Sequence, residues 1–245
     1  MSEYSHQPLR NRLLDLLPSQ ELDLIKPFLE PVVMQKGHVI VHTDAVVDYI
    51  YFPFSGIGSV VTISPEGHQA EAGMFGREGF APTTAAVGGT ISIHEVLMQV
   101  GGEGVRISSL RLGELLPICP VFSNLLARFI HAFSSQISFT ALSNAVHSVD
   151  ERLARWLLMC HDRVDGNEIS LTHEFISLML AVRRPSVTTA LHILEGQKLI
   201  RAERGRISVR DRNALERFAG DAYGKPEQEY RRLIGELPSK RDMAI

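Results

Sequence analysis

Two adjacent arginines, Arg183 and Arg184, stand directly before Pro185 and a run of hydroxylated residues, Ser186, Thr188 and Thr189, with His192 one turn further on. Guanidinium groups bind a phosphate or a guanine edge bidentately, and hydroxyls bond bases or phosphates. Such side chains act together when they sit at the start of a helix, where unpaired N–H groups and the dipole favour anions. Further cations follow at Lys198, Arg204 and Arg206, and Thr172 lies upstream. Residues 183–217 hold nine Lys and Arg against four acids, a net charge of +5. Residues 1–149 hold eight against thirteen, a net of −5, within a chain whose total is −3. A local basic segment on an acidic body suits a polyanion partner for that segment; the alternative is a solvated charged face.

Other groupings offer less. Gly56-Ile57-Gly58 lacks the third glycine and the βαβ setting of a dinucleotide site, and Gly101-Gly102-Glu103-Gly104 reads as a turn between strands. His38 and His42 do not converge on a strand as i, i+4 histidines would on a helix, so solvated or core histidines are expected. Asp162, Asp165 and Glu168 lack the alternating ligands of a calcium loop. Cys119 and Cys160 are the only cysteines, which excludes a disulfide scaffold, a four-thiolate cluster held by one chain and a paired CxxC zinc site. Cys119 is either a redox thiol or, as favoured here, a structural one. No catalytic constellation, metal site or cofactor is expected, and the chain does not read as an enzyme.

The elements that must position the basic residues can be drawn from pattern. In 245 residues with 44% hydrophobic and 22% charged, two domains are more natural than one, and disorder throughout is excluded. No apolar run reaches membrane-span length and the start has no secretory pattern, so a cytoplasmic location is expected. Residues 9–30 read as short helices with Ser19 as a cap. From Pro31 onward, short β-branched and aromatic runs alternate with Gly/Pro/Asp breaks, including the Pro65-Glu66-Gly67 turn, as in an antiparallel sandwich or roll. After Pro120, 29 residues contain neither Gly nor Pro. Leu126, Ile130, Phe133, Ile137, Ala141 and Asn144 form a 3–4-spaced seam there, suited to a dimerisation helix, the alternative being a helix laid over the β-domain. A second helix is expected over 149–163.

From Ile169 the pattern tightens. Thr172 can cap a helix over 173–180, residues 181–184 form a turn, and Pro185 opens a helix to about Gln197. Phe175, Ile176 and Leu180 supply one inner face, and Val187, Ala190, Leu191 and Leu194 the other, with Ala181 small at the turn and Val182 filling the gap. At 100° per residue, Pro185, Thr189 and His192 lie opposite that apolar stripe. Strands over 199–202 and 206–210 join through a tight Gly205 turn, a helix covers 211–219, and the tail from 221 is expected to be polar and loose. Helix, tight turn, helix and hairpin make a winged helix-turn-helix.

The segment LTHEFISLMLAVRRPSVTTALHILEGQKLIRAERGRISV resembles the C-terminal domain of the Crp/Fnr superfamily of bacterial transcription regulators. YIYFPFSGIGSVVTIS, followed by GHQAEAGMFGREGF, resembles their effector domain. The resemblance covers roughly residues 12–219 and implies an α+β chain. Its parts are an N-terminal antiparallel β-roll (double-stranded β-helix) over 1–119, a dimerisation helix over 120–148, a winged helix-turn-helix over 149–222 and a polar tail over 223–245. It also implies a homodimer on a palindromic operator in double-stranded DNA, working with the transcription machinery. Base contact would fall to Arg183, Arg184, Pro185, Ser186 and Thr189, and phosphate contact to Thr172, Thr188, His192, Lys198, Arg204 and Arg206. Members reading the best-known operators carry Glu and Arg where this chain has Pro185 and Thr189, so a different operator is expected.

Cyclic-nucleotide-binding members hold the ribose with a Glu and the phosphate with an Arg. Here the Glu position is Arg77, beside Glu78, and the Arg position falls near Thr90 or Ile91, followed by Ser92. Arg77, Glu78, Thr90 and Ser92 are the effector-pocket candidates. The standard cyclic-AMP contacts are absent, and any small-molecule effector stays unnamed. The alternatives are a ligand-sensing module that binds protein rather than DNA, and a cyclic-AMP responder with a divergent pocket.

Overall fold

A computed structural model describes residues 11–236. Two short helices, α1 (Arg12–Asp15) and α2 (Ser19–Ile25), precede the sheets, with Pro18 rather than Ser19 in the cap position of α2. Asn11 caps α1, and its amide donates to Pro53 O (3.0 Å) and Gly79 O (2.8 Å), which pins the entry of the chain to the roll.

Seven strands follow: β1 (Glu30–Met34), β2 (Val39–Val41), β3 (Tyr49–Pro53), β4 (Ile57–Ile63), β5 (Gln69–Phe75), β6 (Glu95–Val100) and β7 (Gly102–Ser108). They pair antiparallel into two sheets, β1-β7-β3 and β2-β6-β4-β5. Gly67 (φ +84°) forms the turn that joins β4 to β5. The expected turn at residues 101–104 is confined to Gly101. Gly102 and Gly104 lie inside β7, where a Cβ would strike Ser55 O and Phe52 O.

The expected long helix is continuous. A short α3 (Ser109–Leu115) leads into α4 (Pro120–Val146). Phe52, Phe80, Phe129 and Phe133 form a continuous ring ladder from the sheets into α4, with centroid separations of 5.6, 5.1 and 5.9 Å. Such pairs add roughly 0.5–1.5 kcal/mol each beyond their buried area. Two glycines let α4 come this close. A Cβ on Gly79 would lie 2.1 Å from the Phe129 ring, and one on Gly73 would lie 2.8 Å from Gln136 Oε1. Gln136 in turn bonds the free edge of β5, accepting from Met74 N (2.7 Å) and donating to Met74 O (3.1 Å).

Beyond α4 come α5 (Val149–His161), β8 (Glu168–Ile169), α6 (His173–Met179), α7 (Arg184–Gly196), β9 (Ile200–Glu203), β10 (Arg206–Val209) and α8 (Arg212–Ala219). The residues expected to trail away do not. Residues Lys225–Leu233 form α9, which packs along α4. Pro226 and Tyr230 are buried, and the Tyr230 hydroxyl donates to Glu78 O at 2.7 Å. The polar composition hid this helix, yet Pro226, Tyr230 and Leu233 recur at helical spacing and supply its apolar side. The remainder of the expected tail, 237–245, and the first residues of the 9–30 segment lie outside the described residues.

Gly79→Ala forces the Phe129 ring away from the roll. An expected loss of about 1–3 kcal/mol is measurable as a lower urea midpoint with an unchanged slope; an unchanged midpoint contradicts the close contact.

Candidate nucleic-acid interface

The helix-turn-helix forms as its residue pattern requires. The Thr172 side chain accepts from Phe175 N (3.3 Å) and starts α6. Ile176, Met179 and Leu180 are buried from one side, and Val187, Ala190, Leu191 and Leu194 from the other. Phe175 and Val182 are half-buried rather than fully enclosed. Ala181 turns the chain at φ +49°, a left-handed conformation that costs a side chain roughly 1–2 kcal/mol, least for a residue this small.

The start of α7 is bare. Arg183 occupies the cap position with no side-chain cap, and Pro185 follows as the second helical residue. Arg183, Arg184, Pro185, Thr189 and His192 are exposed, with Ser186 and Thr188 half-buried beside them. Thr188 and Thr189 donate back to Arg184 O (3.3 Å) and Pro185 O (3.1 Å), and Thr188 Oγ1 also lies 3.4 Å from His173 Nδ1. Arg183 and Arg184 enter no ion pair among the described residues, nor do Lys198 and Arg204.

The hairpin is a three-stranded wing, β8-β10-β9, whose edge strand β8 the residue pattern did not reveal. Gly205 (φ +75°) makes its tip beside Arg204. Arg206 is tied to Glu168 (3.2 Å), so this candidate phosphate contact carries a competing carboxylate.

The four effector candidates are not brought together. Ser92 is buried at the edge of the roll and donates to His94 O (2.7 Å), while Thr90 accepts from Val47 N (2.9 Å) through its backbone. Arg77 and Glu78 instead face the C-terminal domain. Arg77 meets Asp165 at 2.8 Å, and Glu78 meets Arg163 at 2.8 Å with both side chains nearly sealed from solvent. Seven residues before Glu78, the buried carboxylate of Glu71 accepts from Trp156 Nε1 (2.9 Å), Ser59 and Gln99. Segment 71–78 of the roll thus contacts segment 156–165 of the C-terminal domain three times. Around these polar contacts lies one apolar cluster in which Ile57, Val61 and Met74 of the roll join α5, α6 and α7.

Two of the six expected α4 seam positions are corrected. Leu126 and Phe133 are buried within their own chain, against the roll. Ala127, Ser134, Ala141 and Asn144 are exposed, with Ser138, Leu142 and Ala145 exposed beside them, while Ile130 and Ile137 are half-buried against the core of the roll, so a candidate seam runs 127, 130, 134, 137, 141, 144. Its 4–3 spacing is that of a coiled-coil seam with small residues at alternate positions. Both cysteines are buried and free, and burial raises both thiols, opposing a redox role. Among the described residues no cluster of three His, Cys, Asp or Glu is placed to hold a metal, and no single helix is long and apolar enough to cross a membrane.

Residues 151–218 match the Crp-like helix-turn-helix domain. No curated protein sequence matches the chain. The global regulator CLP of Xanthomonas campestris, described as responsive to c-di-GMP, is similar with a TM-score of 0.63 at 14% identity, over 78% of this chain and 99% of that one. A Crp/Fnr-family regulator from Eubacterium rectale gives 0.62 at 19%, over 86% and 98%. FixK2 of Bradyrhizobium japonicum gives 0.66 at 15%, over 78% and 96%. The chain has the fold of the Crp/Fnr regulators. Its residues 151–218 are those of a Crp-like helix-turn-helix domain.

Burial raises the Glu71 carboxyl, and its hydrogen bonds from Ser59 and Trp156 offset this only in part. A raised carboxyl holds its proton more tightly in the folded state, so its contribution is lost as pH rises from the unfolded value through the folded one. Glu71→Gln should therefore gain stability relative to wild type as pH rises above the ordinary Glu value of about 4.3, read by urea titration at each pH. A difference that stays flat contradicts the buried charge.

Proposed function

We propose that the chain is a sequence-specific transcription regulator that binds, as a homodimer, a two-fold-symmetric operator in double-stranded DNA. The observation that carries this reading is the bare N-terminus of α7. Two exposed arginines without carboxylate partners open a helix whose outward face is Pro185, Thr189 and His192. In a helix-turn-helix this end enters the major groove, where Arg184 takes a guanine edge while Arg183, Pro185, Ser186 and Thr189 line the bases. Thr172, Thr188, His192, Lys198 and Arg204 contact phosphates and fix the register, and Arg206 does so only by giving up Glu168.

The second chain docks along α4. The free face from Ala127 to Asn144 supports parallel pairing at close range, because its small residues let the two backbones approach. That places the two α7 helices on half-sites one helical turn, roughly 34 Å, apart. The roll over 1–119 acts as a sensory domain in the cytoplasm, and the output passes to the transcription machinery. Since Arg77 and Glu78 are engaged by Asp165 and Arg163, an effector acts by biasing the pose of the DNA-binding domain rather than through the usual cyclic-AMP contacts.

Arg184→Ala should relax discrimination at one base pair per half-site, at a cost of about 1–3 kcal/mol. Fluorescence anisotropy against the operator and its single-base-pair variants reads this; uniform weakening on every variant makes Arg184 a phosphate contact. Ala141→Glu, on the exposed seam, should convert dimer to monomer in sedimentation velocity and lower operator affinity together. A dimer that survives the substitution places the subunit contact elsewhere.

A further inference from the structure

An open cleft of about 800 Å³ lies between the roll and the helix-turn-helix. One wall holds Thr172 at the start of α6 together with Arg183 and Arg184 at the start of α7. The opposite wall is the β4–β5 hairpin, which contributes His68 and Gln69. We propose that this cleft seats one sugar-phosphate strand of the bound duplex, so that the sensory roll itself touches DNA through His68 and Gln69. The inference rests on the DNA-binding reading above and adds to it a second protein wall.

The geometry of a helix-turn-helix carries the argument. When α7 enters a major groove, α6 crosses the flanking backbone. Phosphates therefore pass the N-terminal ends of both helices, where N–H groups and the cap hydroxyl are directed at anions. In this chain those two ends line the same cleft. The charge of its walls agrees with that path: two arginines and a histidine face a single acid, Glu174. Its volume is far above the ~30 Å³ share of one water, and its mouth is open to solvent.

The far wall is positioned firmly enough to act as one. β5 packs against α6, and Glu71, two residues beyond Gln69, holds Trp156. Gln136 secures the same strand from α4. His68 and Gln69 are nonetheless exposed, and among the described residues the His68 ring meets Glu66 of the same hairpin, 3.5 Å away, and no other ion-pair partner.

The test is a charge scan of the hairpin in the full-length protein, with affinity for the operator followed over a range of salt. His68→Arg should bind severalfold tighter, and its log–log salt slope should steepen by about 0.9, one added phosphate contact. His68→Glu should bind severalfold weaker. Val87→Arg, an exposed change elsewhere on the roll, should leave both quantities as in wild type. Slopes equal to wild type for both His68 variants overturn the proposal and leave the α7 interface standing. Tighter binding by His68→Glu, or by a hairpin shortened at Glu66–His68, also overturns it and makes the hairpin an obstruction. Wild type that binds no duplex specifically overturns this inference together with the function on which it rests.

Discussion

A carboxylate taken out of water between two domains has to be met by donors, and the segment from Glu71 to Glu78 meets that demand with side chains from α5 and the loop after it. Trp156, Arg163 and Asp165 answer Glu71, Glu78 and Arg77 in turn. Buried pairs of this kind add little net stability over apolar packing, but leaving one member unpaired costs several kcal/mol. They therefore act by selecting a pose. The apolar cluster that runs from Met74 to Leu194 supplies the adhesion, and the polar contacts fix where the two bodies sit. Everything proposed for the DNA face depends on that placement, since it sets the direction in which α7 points and puts the β4–β5 hairpin beside it.

Helix α4 is the common support. One side is consumed by the phenylalanine ladder and by Gln136 on the β5 edge, another by α9, and what remains is the narrow small-residue seam. The C-terminal helix reinforces the arrangement. It arises from the DNA-binding domain, crosses α4, and returns a hydroxyl from Tyr230 to the Glu78 carbonyl of the roll. A change in the roll near residues 71–78 thus meets both α5 and α9 directly, which gives two physical routes from the roll to the pose of α7.

Much of this was legible from residue types alone. The winged helix-turn-helix could be drawn almost residue by residue, because its signals are local: a threonine cap, a small residue at the turn, a proline at a helix start and a glycine at a hairpin tip. The long helix was equally clear, but two of its six seam positions belong to the chain's own core. Leu126 and Phe133 look like dimer contacts by hydrophobicity, and only the position of the roll decides that they serve the internal core. Helix α9 was missed because its burial rests on few apolar side chains in a charged stretch. Arg77 and Glu78 stand as ligand residues only through the resemblance to cyclic-nucleotide-binding domains; their partners lie more than eighty residues away, beyond the reach of any spacing rule.

The most direct measurement of the central claim is selection of random duplex DNA by the purified full chain at about 150 mM salt, a level at which nonspecific phosphate binding is already weak. The expected result is a two-fold-symmetric motif with half-sites one helical turn apart, lost when Arg183 and Arg184 are both replaced by alanine. Enrichment of no motif, or of a motif that survives the double substitution, would contradict the assignment of α7 as the reading helix.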